Sequence, residues 1–189
     1  DYSILDTASP NLKLTYSHAS AGRWGVSVQL PLGSRDHHHV HNESSGPEPE
    51  DWHFNEPGDV RVLGQYRLSA DGESATVYGA LAGIKLPTGD TDIDNKAGEE
   101  AERTLQPGTG TTDFLAGAYV SHALSSIPGT VFAQAVAQRA VNEHDHFRPG
   151  EQLGIDAGYR YPVTPRLGLN LQLNYLTRWR DDGSNAEPD

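Results

Sequence analysis

The stretch RDHHHVHNE, Arg35 to Glu43, sets His37, His38, His39 and His41 close together with Asp36 and Glu43 on either side. If the backbone is extended there, His37, His39 and His41 project the same way, because side chains alternate along a strand. Three convergent imidazoles are a donor set for Zn²⁺, Cu²⁺ or Ni²⁺. Neutral imidazole is the ligand, so such a site releases its metal on mild acidification below about pH 6.5. His53, Asp36 and Glu43 are candidate further ligands. A second pair, His144 and His146 in NEHDHFRPGE, could complete a common site. A solvated loop whose histidines hold metal only weakly satisfies the same pattern, and both readings stand.

Other chemistry is less well supported. Asp90, Asp92 and Asp94 in TGDTDIDN have the spacing that opens an EF-hand loop, but Asn95 replaces the required glycine and Ala101 the closing glutamate. The pairs Ser17-His18 and Ser121-His122 are adjacent in sequence. Within one strand they face opposite sides and form no nucleophile-base pair, which leaves only a cross-strand dyad open. No phosphate-binding loop or dinucleotide fingerprint is present, and the expectation is that the chain is not an enzyme.

The elements that carry these residues follow from composition and periodicity. The chain has 189 residues, 35% hydrophobic, with 20 glycines, 12 prolines and no cysteine. That is enough for a single domain, 1–189, rich in turns. A formal charge of -12 disfavours nucleic acid and favours cations as partners. No apolar run is long enough for a transmembrane helix.

Period-2 alternation is the dominant signal. LGLNLQLNYL sets Leu167, Leu169, Leu171, Leu173 and Tyr175 against Gly168, Asn170, Gln172 and Asn174. The same pattern recurs over Trp24 to Leu32, Val60 to Leu68 and Leu153 to Tyr161, and less cleanly over Asn11 to His18, Ala75 to Leu86, Thr111 to Leu124 and Thr130 to Val141. These eight expected strands are long, near the 9–11 residues of a tilted strand that crosses a bilayer. Their connections alternate between short turns (20–23, 69–74, 125–129, 163–166) and long loops (33–57, 87–110, 142–151).

The expected fold is therefore all-β, an antiparallel up-and-down transmembrane β-barrel with its short turns on one rim and its long loops on the other. This places it in the outer membrane of a Gram-negative bacterium, in contact with the lipid bilayer and lipopolysaccharide. Most of the 26 acidic residues fall in the long loops and terminal tails, an acidic rim suited to loose Ca²⁺ or Mg²⁺ bridging to phosphates. Gln29, Arg61, Gln65, Arg67, Asp156, Arg160, Asn170, Gln172 and Asn174 are expected to face the lumen, since a charge on the lipid face at mid-bilayer costs about 2–4 kcal/mol. A soluble barrel also alternates, but with its apolar face inward. Both termini fall on the long-loop rim and the chain ends AEPD, which together imply further strands at each end and a barrel of ten or more.

GIKLPTGDTD, Gly83 to Asp92, followed by LQPGTGTTDFLAGAYVSHAL, Leu105 to Leu124, resembles the outer-membrane β-barrel family named for the meta-pathway of phenol degradation. The resemblance implies a transporter or channel for a small solute, without a catalytic set. Two other classes fit the same strands: a structural barrel that sheathes or docks a partner protein, and a lipid-active outer-membrane enzyme.

Overall fold

In the computed structural model the described residues are 2–8, 11–19, 23–43, 46–69, 74–94, 98, 101, 103, 105–164 and 167–184, with side chains placed for 23–34, 53 and, from 55 onward, the rest of these. Among them there is no helix, and ten strand segments form one antiparallel sheet. They are β1 (Tyr2–Ala8), β2 (Asn11–Ala19), β3 (Trp24–Glu43), β4 (Gly46–Pro57), β5 (Arg61–Arg67), β6 (Thr76–Lys85), β7 (Asp113–Ala123), β8 (Thr130–Ala140), β9 (Gln152–Thr164) and β10 (Leu167–Arg178).

The ten segments make a sheet eight strands wide, because β3 is long enough to take two partners on each edge. On one edge β2 pairs with residues 25–33 and β1 with 36–41. On the other, β5 pairs with 24–29 and β4 with 32–43. From β5 onward each strand pairs with the next in sequence, ending at β10. The far edge of β10 has no strand partner among the described residues.

The sheet curls into a half-barrel. The curl is visible in one cavity of about 210 Å³ that collects Gln29, Arg61, Leu115, Gln134, Gln152 and Asn174 from six different strands. Those residues can meet only on the concave side. The alternating partners lie on the convex side, where Leu169, Leu171 and Leu173 are 61%, 73% and 78% exposed. Trp24, Val26 and Val28 of β3 and Phe114 and Val120 of β7 are exposed in the same way.

The segment 33–57, expected as a loop, is instead the distal part of the β3–β4 hairpin. Its residues are polar on both strand faces, so no hydrophobic alternation marked it. Pro47 and Pro49 fall in β4, whose only partner strand among the described residues is β3. A proline lacks the N–H that a strand in the middle of a sheet must donate, and an edge is where it is tolerated.

Candidate functional site: a buried ion cluster and a polar concavity

The two motif stretches meet at the end of the concave face. GIKLPTG ends β6 at Lys85, LQPGTGTTD enters β7 at Asp113, and the chain entering β5 brings Asp59 and Arg61 beside them. Lys85 is 2% exposed, Asp113 1%, Thr111 0% and Asp59 6%. The ammonium of Lys85 lies 3.0 Å from Asp59 Oδ2 and 3.2 Å from Asp113 Oδ1. It also donates to Thr109 Oγ1 and, at 3.3 Å, to Thr111 Oγ1.

Each carboxylate is satisfied in turn. Asp59 accepts from the backbone N–H of Gly89 and of Thr109, both at 3.1 Å, and from the Thr109 hydroxyl at 2.9 Å. Asp113 accepts from Thr111 Oγ1 at 2.7 Å and from Gln138 Nε2 at 2.5 Å. A charge removed from water is tolerated only when its hydrogen-bonding positions are filled in this manner. No buried side-chain N or O among the described residues lacks a partner.

The same contacts fold the described parts of the 86–112 segment back onto the rim. Thr88 Oγ1 accepts the Val60 N–H at 2.8 Å, and the Gln106 amide holds Ile93 N at 3.0 Å and Ala101 O at 2.9 Å. Gly89 and Gly108 cross closely: a Cβ on Gly108 would lie 2.3 Å from the Gly89 carbonyl oxygen, so neither position has room for a side chain. Arg103 continues the link to the next loop, donating to Asp145 at 2.8 Å.

Below the cluster the concave face is a series of connected spaces. An outer cavity of about 200 Å³ is lined by Pro31, Pro107 and Pro149 together with Asp59, Lys85 and Asp113. It shares Gln29, Arg61, Gln138 and Gln152 with the middle cavity of about 210 Å³. Gln134 belongs to both the middle cavity and a third space of about 580 Å³ toward the short turns, where Gln65, Arg160, Asn170 and Gln172 line the wall. Asp156 accepts from Gln134 Nε2 at 2.7 Å, and Arg160 donates to Asn170 Oδ1 at 3.3 Å. Arg67 follows Arg61 and Gln65 at alternate positions of β5 and donates to Ser69 Oγ at 3.0 Å.

The side chains of His37, His39 and His41 lie outside the described residues. Their backbone is extended within β3, opposite Trp52, Glu50 and Glu48 of β4. His53 is exposed and stands opposite Asp36. His144 and His146 have separate surroundings. They belong to one tight turn, closed by two 2.9 Å bonds between His144 and Phe147, with Asp145 and His146 between them both left-handed (φ 47° and 57°). His144 lies over Gly110 and 3.0 Å from Asp145, whereas His146 is exposed at the turn. Among the described residues no three His or acidic side chains converge as a metal-ligand set. Ser121 lines the innermost cavity and the neighbouring His122 bonds Thr76 Oγ1 at 2.8 Å.

Asp59, Lys85, Thr109, Thr111, Asp113 and Gln138 carry no residue-type or spacing signature of a site in the sequence. The available signal was Lys85 itself, the one charged residue in its expected strand, in phase with Gly83 and Leu81.

No protein-family model matches this chain, and no curated protein matches it significantly.

Proposed function

We propose that this chain forms the wall of a channel for small solutes, an up-and-down transmembrane β-barrel in the outer membrane of a Gram-negative bacterium. The observation that carries this is the inversion of the two faces. A soluble half-barrel keeps its charges out of the concavity, whereas here the concavity holds Arg61, Asp156, Arg160 and amides around a layer that includes Leu63 and Leu115, and Leu169, Leu171, Leu173, Trp24 and Phe114 stand outward. Contiguous exposed apolar surface on this scale marks contact with an apolar environment.

Aromatic placement supports the same reading. Trp24 and Tyr66, with ring centroids 4.5 Å apart, stand with Tyr78 and Tyr161 toward the short-turn rim. Phe114, Tyr175 and Trp179 stand toward the long-loop rim. Rings at two levels around an apolar band are the arrangement of a barrel at its two membrane interfaces. The outward positions of β7 between Phe114 and His122 cover roughly 26 Å of strand at about 3.3 Å per residue, enough for that band. In lipid the backbone groups on the far edge of β10 need partners, so the barrel closes there.

The β3–β4 hairpin projects beyond the rim with the histidines on it, and we assign it capture of Zn²⁺, Cu²⁺ or Ni²⁺ at the channel mouth through His37, His39 and His41. The test is conductance of the chain reconstituted in planar bilayers near neutral pH. The parent is expected to conduct and to lose conductance on adding Zn²⁺, with recovery near pH 5 as protons displace the metal. A variant with His37, His39 and His41 replaced by Ala is expected to conduct and to ignore Zn²⁺. A chain that stays monomeric in water without detergent and never conducts would refute the channel. Equal Zn²⁺ block in both forms would remove the metal from this hairpin.

A further inference from the structure

Arg61 occupies the wall shared by the outer and middle cavities. Asp59 and Asp113 act on it electrostatically, but both carboxylates spend their contacts on Lys85, the threonines, Gln138 and backbone N–H groups. Among the described residues Arg61 has neither a hydrogen bond nor a salt bridge. The side-chain amides of Gln29, Gln152 and Asn174, which line the same middle cavity, likewise have no hydrogen-bond partner there.

The remainder of that cavity is apolar. Leu63, Leu115, Val136 and Leu176 contribute the wall between the Arg61 level and the Asp156 level. Val136 is the inward neighbour of Gln134, which pairs with Asp156, and of Gln138, which pairs with Gln152, so the two charged levels are separated along the strands by this greasy layer. The volume, about 210 Å³, would hold roughly seven waters at about 30 Å³ each, or one small organic molecule in their place.

We propose that Arg61, with the amides of Gln29 and Gln152, forms a binding site for small monocarboxylates with an apolar body. A planar guanidinium presents paired N–H donors that match a carboxylate, and the adjacent amides supply further donors. The apolar layer takes the body. Asp156 at the opposite end repels a second carboxylate, and the acidic long-loop rim repels a dianion more strongly than a monoanion. Lys85 makes the site workable: it engages both neighbouring carboxylates directly, so neither forms an ion pair with Arg61 and the guanidinium fork stays open to a ligand. Selection of a transported solute by this site rests on the channel reading; binding itself rests only on the cavity.

The test uses the full chain in detergent micelles, titrated calorimetrically with pentanoate, glutarate and pentanol. Pentanoate is expected to bind saturably and at least about tenfold more tightly than the other two. Arg61→Gln and Arg61→Lys are each expected to weaken pentanoate by about tenfold, the lysine because it keeps the charge but loses the fork, with an unchanged β-sheet circular dichroism spectrum. Asp156→Asn is expected to raise glutarate affinity and serves as the readout should either Arg61 variant fail to fold. Glutarate binding as tightly as pentanoate in the parent, pentanoate binding indifferent to both Arg61 variants, or glutarate affinity unchanged in Asp156→Asn would overturn the site. Binding of pentanoate without its flux across reconstituted liposomes would leave the site and refute the channel. Equal flux of pentanoate and glutarate without saturable binding would do the opposite.

Discussion

Lys85 keeps a charge where almost no water reaches it because oxygens from Asp59, Asp113, Thr109 and Thr111 surround its ammonium. Those partners come from two separate parts of the chain and Lys85 from a third, so the charge clamps the entry to β5, the end of β6 and the start of β7 together. Removing one member of a buried ion set strands the others, at a cost of about 3–5 kcal/mol. Lys85→Met is therefore expected to lower stability by about that amount, measured as a shift of the denaturant unfolding midpoint in detergent. Adding Asp113→Asn should return part of the loss, since one uncompensated carboxylate is then gone. A midpoint unmoved by Lys85→Met would mean that the cluster is not what holds the rim. Alternation alone places Lys85, Arg61 and Asp113 on one side of their strands, because period 2 is a local property. Their convergence depends on strand register and on how 86–112 folds back, and neither has a local signature.

The 86–112 segment illustrates how one element depends on backbone proximity. The crossing of Gly89 over Gly108 lets Asp59 reach both Gly89 N and Thr109 N at 3.1 Å. Gly108→Ala pushes a methyl into the Gly89 carbonyl, and overpacking of this kind costs about 1–3 kcal/mol. It is expected to release the segment from the rim without unfolding the sheet, seen as faster proteolytic cleavage within 86–112 while the strands stay protected. Cleavage at the parent rate would show that the crossing does not retain the segment. The motif stretches flagged this region in the sequence, and the glycines within them are explained by the close approach. The hairpin of β3 and β4 was not legible as strand, because residues such as Asp36, His38 and Glu50 give both faces the same polarity. Strand pairing there is a matter of continued register from Trp24 to Leu32, a signal that lies outside the segment.

Across the molecule, the sheet separates a polar concave surface from an apolar convex one, and its described residues bury few apolar side chains between them. Leu81, Ala101, Leu115, Ala140 and Phe147 are the buried apolar residues among those described. A sheet like this owes its shape to hydrogen-bonded register and to what contacts its two faces. In the proposed channel the convex face meets lipid and the concave face water, and because the sequence has no cysteine, single cysteines can report on each face. Single cysteines introduced along β10 (Leu169→Cys through Asn174→Cys) can be probed in reconstituted liposomes with a membrane-impermeant maleimide and, after fluorophore labelling, with a lipid-phase quencher. Positions 170, 172 and 174 are expected to react with the aqueous reagent and resist the quencher, while 169, 171 and 173 should be quenched by lipid and resist the reagent. The opposite phase, or aqueous reactivity at all six positions, would contradict the account.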